Sequence, residues 1–230
     1  MSFNPLGNFD PSSAINAVIV AKAKTLLAKL PVVPANAISR IYLHWTVAPF
    51  GCLFGDYNGE ANFQSPNWVL VMTHDPRDNA IGGNNANEAS HTWHRNTGAV
   101  GVSISGMTGA TQHDFGPDAV TLAGLDHLCA GAAAFALRYD VDAIGTVQNG
   151  TTHAGDSGDV STTGEHTILT HAEAANADGY LCGFTSDPDC RWDLGSFVAL
   201  PAGVALTRAM VAQCGDALRQ RVHAYKAALA

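Results

Sequence analysis

Two histidines and an aspartate stand in three short stretches far apart in the chain: Tyr42-Leu43-His44-Trp45-Thr46, Thr170-His171-Ala172-Glu173 and Arg191-Trp192-Asp193-Leu194. Two imidazoles and a carboxylate make a three-ligand metal centre with an open fourth position, the arrangement of a hydrolytic zinc rather than a structural one. Arg191 places a cation two residues before Asp193. Glu173 is a ready acceptor for the free N–H of His171, which would fix the tautomer and raise ligand basicity. Thr46 is a candidate support for His44. Asp187, Asp189 and Cys190 offer alternative third ligands, since carboxylate and thiolate both bind zinc. The chain holds ten histidines, so most must do something else. His74, His113, His127, His153, His166 and His223 read as ordinary hydrogen-bonded residues.

The elements that carry these residues follow from periodicity. Residues 38–47 alternate as a strand, with Ile41, Leu43 and Trp45 on one face and Tyr42, His44 and Thr46 on the other. Residues 67–73 and 99–107 read as further strands, and 167–171 as a short one ending in the second histidine. Asp10-Pro11 reads as the start of a helix running to about residue 30, with Pro117 and Pro201 opening two more. Residues 172–189 read as a polar loop. Alternating strands and helices predict an α/β fold, a central mixed β-sheet flanked by helices. The predicted organisation is an N-terminal helical extension (1–35), a central domain (36–200) and a C-terminal helix packed on it (201–230).

At 230 residues and 47% hydrophobic residues, the chain can bury a real core. A formal net charge of −8, with no basic cluster, excludes a phosphate-backbone binder, so no nucleic acid is expected. Only 14% of residues are charged, so the surface leans on uncharged polar groups that suit hydrogen-bonding substrates such as glycans. The N-terminus lacks the pattern of a secretory signal. The most apolar early stretch is broken by Lys22, Lys24 and Lys29, so no membrane insertion is expected. Five scattered cysteines are no disulfide framework; Cys129 and Cys214 read as buried thiols, and Cys182 and Cys190 as a pair that could close a loop. Nothing in the sequence sets an oligomeric state.

The chain resembles the N-acetylmuramoyl-L-alanine amidase type 2 family, whose fold is shared by peptidoglycan recognition proteins and amidase-type phage lysozymes. The resemblance rests on Ile41-Tyr42-Leu43-His44-Trp45-Thr46, on Ser90-His91-Thr92-Trp93-His94-Arg95-Asn96 followed by Val100-Gly101-Val102, and on His171-Ala172-Glu173 with Arg191-Trp192-Asp193. It spans roughly residues 38–200. It implies zinc held by His44, His171 and Asp193, with Arg191 in the catalytic role that a lysine fills in the family. Phe197 stands where the family packs an aromatic residue. His91 and Asn96 would contact a muramyl-peptide, and Trp93 would stack on a sugar face. The bond cut would join N-acetylmuramic acid to the L-alanine of the stem peptide.

Two departures stand out. Where many members carry a glutamate this chain has Ser103, and where others carry a tyrosine it has Asn67-Trp68. Glu60, Glu88 and Glu165 are then the chemically admissible bases. The expected setting is a phage or prophage lysin, synthesised in the cytoplasm without a signal peptide and acting on the cell wall after holin-type release or as part of a virion. A recycling amidase, and a peptidoglycan-binding module of the same fold without activity, are the alternatives.

Overall fold

The computed structural model describes residues 3–93, 95–148, 162–181 and 191–230. Five strands, β1 (Arg40–Trp45), β2 (Gly59–Gln64), β3 (Asn67–Met72), β4 (Ala99–Ile104) and β5 (Ile168–Thr170), form one sheet in the order β3-β2-β4-β1-β5. β2, β4, β1 and β5 run parallel, and β3 closes one edge antiparallel to β2. The helices are α1 (Ala17–Leu27), α2 (Pro76–Asn79), α3 (Leu122–Arg138), α4 (His171–Asp178) and α5 (Arg208–Leu229). This is an α/β architecture with a mixed sheet flanked by helices.

The two faces of the sheet differ in chemistry. Ile41, Leu43 and Trp45 of β1 share a face with Val100, Val102 and Ile104 of β4, and all six belong to the main apolar core. Against that face lies α3, with α1 and α5 packed on it in turn. α3 is apolar nearly all round, as a helix covered on every side must be. Its run Ala132-Ala133-Ala134, with Ala136, is fully buried, and these small side chains let the sheet and neighbouring helices approach. Ile19, Ala23 and Leu26 of α1 and Leu218, Val222 and Tyr225 of α5 join the same cluster. The opposite face carries Tyr42 and His44 of β1, Ser103 of β4 and Glu60 of β2, in one register row from His44 through Ser103 to Glu60.

Several element boundaries differ from the sequence-based expectation, for a common reason. The helices expected to open at Pro11, Pro117 and Pro201 begin later, after Asn16, Thr121 and Thr207, whose side chains accept from first-turn backbone N–H groups. Those caps satisfy donors that a proline start leaves open, and Asp10 instead closes a local turn onto Ser12. The expected loop after His171 opens with α4. Thr170 and Glu173 form a reciprocal capping box at its start, and Gly179 ends it at φ 87°. β2 escaped notice because Gly-Glu-Ala-Asn-Phe-Gln has little β propensity; it is held by pairing on both sides.

Among the described residues, no helix is long and apolar enough to cross a membrane. Cys129 and Cys214 are buried free thiols, as expected; Cys182 and Cys190 lie outside the described residues. Phe135 is fully buried, and its ring fills the space beside β2 that a Cβ at Gly59 would need, 2.5 Å from that position. Phe135→Ala should therefore lower the unfolding free energy by about 3–5 kcal/mol, read from the urea midpoint at unchanged slope.

Candidate metal centre

The C-terminal ends of β1 and β5 lie side by side, Leu43 opposite Thr170. His44 follows Leu43 within β1, and His171 follows Thr170 as the first residue of α4. Asp193 reaches the same point from the segment after Leu181, where the Ala172 N–H donates to the Asp193 carbonyl at 3.1 Å. The three side chains meet. His44 Nδ1 lies 3.1 Å from His171 Nδ1, His171 Nδ1 3.2 Å from Asp193 Oδ2, and His44 Nδ1 3.8 Å from Asp193 Oδ2. A point about 2.0 Å from all three atoms lies inside that triangle, and zinc keeps about 2.0–2.2 Å to imidazole nitrogen and carboxylate oxygen. The donor set and its spacing thus fit a zinc ion. Asp187, Asp189 and Cys190, the alternative third ligands, lie outside the described residues, as do His94 and His153.

The protonation states suit a cation. His44 is fully buried, and burial, reinforced by the charge of His171 against the pull of Asp193, lowers its pKa to about 4. Burial alone would raise the Asp193 carboxyl; the charge and hydrogen bond of His171, with a smaller contribution from His44, outweigh it and hold the group well below the usual carboxylate range. At neutral pH this leaves a neutral imidazole and an ionised carboxylate, the forms that bind metal.

The side chains around the centre have other duties than the sequence suggested. Glu173 does not serve His171. Its carboxylate accepts from the Thr170 N–H at 2.9 Å and pairs with the buried Arg219 of α5, each bond at 2.9 Å. Thr46 accepts from the Gly106 N–H at 3.2 Å, tying off the end of β1. The partner of His44 is Thr92, whose Oγ1 lies 3.2 Å from Nε2. Thr92 carried no sequence signal beyond its place between His91 and Trp93. Tyr57 was also missed: its ring sits 5.1 Å from that of His44, and its hydroxyl donates to the Trp45 carbonyl at 3.2 Å. Burial, with Asp193 nearby, pushes the Tyr57 pKa up, so it stays a proton donor.

Two of the three candidate ligands, His171 and Asp193, line a cleft of about 630 Å³, together with Asp56, Tyr57, His91, Trp93 and Arg191 among others, while His44 is buried behind them. Arg191 is exposed at the rim of the cleft, and Trp93 is 64% exposed. Trp45, in contrast, is buried edge-on against Trp192, and Phe197 edge-on against Phe9. Asn96 is buried and not among the cleft-lining residues; its Oδ1 accepts from the Thr92 N–H at 2.7 Å and so shapes the loop. Arg95, fully buried, ties that loop to Glu165 and to Asp178 at the end of α4. None of the three candidate bases lines the cleft. Glu165 is held by Arg95, Glu88 accepts from Thr97, and Glu60 accepts from Asn62 and the Phe54 N–H.

No family model matches the chain, and neither a curated protein nor a solved structure matches it.

Two outcomes follow from the geometry. Because the folded-state pKa of His44 is depressed, metal-free protein should lose stability as pH falls from about 6.5 toward 4, where the unfolded chain takes up a proton the folded one refuses; the thermal midpoint against pH checks this. Glu173→Ala should cost about 3 kcal/mol by leaving Arg219 buried without its main partner, seen in chemical denaturation.

Proposed function

We propose that the chain is a zinc-dependent peptidoglycan hydrolase of the N-acetylmuramoyl-L-alanine amidase type 2 kind, cleaving the amide bond between N-acetylmuramic acid and the L-alanine of the stem peptide. The observation that carries this reading is the meeting of His44, His171 and Asp193 at an open cleft that the last two line. Bound there, zinc would supply Lewis-acid polarisation of a carbonyl and a water nucleophile at neutral pH. His171 and Asp193 both line the cleft, so the donor triangle faces the space where a substrate carbonyl would sit. The position at the carboxyl ends of parallel strands is the usual one for ligand sites in open α/β sheets, and the volume is in the range of small-ligand clefts.

In this reading Arg191 stabilises the oxyanion that develops on the scissile carbonyl. Its planar guanidinium would present a fork of donors where a lysine presents a point charge. Tyr57 also lines the cleft, its hydroxyl proton held by the Trp45 carbonyl. The exposed indole of Trp93 offers a flat apolar surface to a sugar ring, and His91 contributes to the wall beneath it. Asp56, exposed and also lining the cleft, adds a carboxylate that suits an amino group of the peptide. The setting we propose is a phage or prophage lysin reaching the wall through a holin-type pore or as part of a virion.

One observation favours the rival reading of a binding module without activity: all three candidate glutamates are engaged away from the cleft. Purified protein should contain about one zinc per chain, as a single three-ligand site requires, and should release free stem peptide from sacculi until a chelator is added. Metal-free protein that binds sacculi and releases nothing would decide for the module. His171→Ala should abolish zinc retention and release together, and wild-type turnover in that variant would contradict the assignment. Arg191→Ala should keep the metal while slowing release by roughly 100-fold.

A further inference from the structure

His44 can face the ion through Nδ1 only if its proton sits on Nε2, and inside a protein the tautomer is set by a hydrogen-bond partner at the other ring nitrogen. The structure supplies one. Nε2 lies 3.2 Å from Thr92 Oγ1, and the same hydroxyl lies 2.9 Å from His91 Nδ1. All three side chains are buried: His44 at 0%, Thr92 at 3% and His91 at 5% exposure. A hydroxyl has one proton to give. If Thr92 gives it to His91, its oxygen must accept from His44, and the His44 proton is then pinned on Nε2. The other His91 ring nitrogen, Nε2, is buried without a hydrogen-bond partner, so Nδ1 is the nitrogen through which the ring engages Thr92.

The hydroxyl is held in place from both sides. The Thr92 N–H donates to Asn96 Oδ1 at 2.7 Å, and the Thr92 carbonyl accepts from the Arg95 N–H at 2.9 Å. Asn96 is fixed in its turn by buried Asn79, whose amide reaches the Asn96 carbonyl and the Ala89 carbonyl. The His91 ring is seated on β4 where a Cβ at Gly101 would come within 2.5 Å of its Cγ, so only glycine leaves room for it.

We propose that His91 and Thr92 act together as a tautomer lock on His44, a positioning pair that keeps its Nδ1 lone pair aimed at the metal. This rests on the metal reading above and moves His91 from substrate contact to support of the ion. Hydrogen-bond partners of this kind typically alter metal affinity by about 10–100-fold.

The test is zinc affinity by chelator competition, with nitrogen-15 NMR of the histidine rings in zinc-loaded wild type. Thr92→Val, similar in shape but without the hydroxyl, should weaken zinc binding by about 10-fold or more. Thr92→Ser should restore it, and the NMR should show His44 protonated at Nε2. Unchanged affinity in Thr92→Val, equal loss in the valine and serine variants, or a His44 proton on Nδ1 would each overturn the proposal. A wild-type protein that binds no zinc would instead remove the metal reading itself, a distinct result.

Discussion

Two imidazole nitrogens and a carboxylate oxygen are held within 3.8 Å of one another where little water reaches. Lone pairs crowded in this way repel unless a cation or shared protons lie between them, and burial removes the solvent that would soften the cost. Such crowding persists only when the surrounding structure over-determines it. Here each ligand is anchored on its own terms. His44 sits inside a strand paired on both sides. His171 is the first residue of a capped helix. Asp193 is pinned by its carbonyl to the Ala172 N–H.

The anchoring explains why the sheet has two unlike faces. One face and α3 supply the apolar burial that holds the fold together, and the terminal helices thicken that layer. The other face is free to carry polar groups, provided each finds a partner. Asn58, Asn79, Asn96 and Thr92 form a connected set of hydrogen bonds under the 89–96 loop, and Arg95 ties that loop to α4 through Asp178. The C-terminal helix takes part through Arg219, which braces Glu173 and with it the cap that sets where His171 begins. A residue that is not among those lining the cleft thus bears on the ligand geometry.

Strand β1 was legible because a central parallel strand needs apolar residues at alternate positions, and Ile41, Leu43 and Trp45 supply them. α3 and α5 were legible from their 3.6-residue stripes, although their first turns were set by Thr121 and Thr207 rather than by the prolines upstream. α4 is legible in Thr170-x-x-Glu173 followed by Gly179; the same glutamate also reads as an acceptor for the His171 N–H, because a carboxylate two residues from a histidine serves either purpose. β2 had no local signal, since its stability comes from neighbours on both sides.

By itself the sequence determined which donors existed. Two histidines and an aspartate of the right chemistry, the strand that carries His44 and the apolar stripes of the covering helices were all local properties, readable from residue type and spacing. Only the tertiary structure decided that those donors share one point, that Thr92 rather than Glu173 or Thr46 holds an imidazole, and that Tyr57 and Trp93 border the same cleft. The reason is that hydrogen-bond partners and ligand distances depend on strand register and loop path, and residues 44, 92, 171 and 193 meet only after both are set.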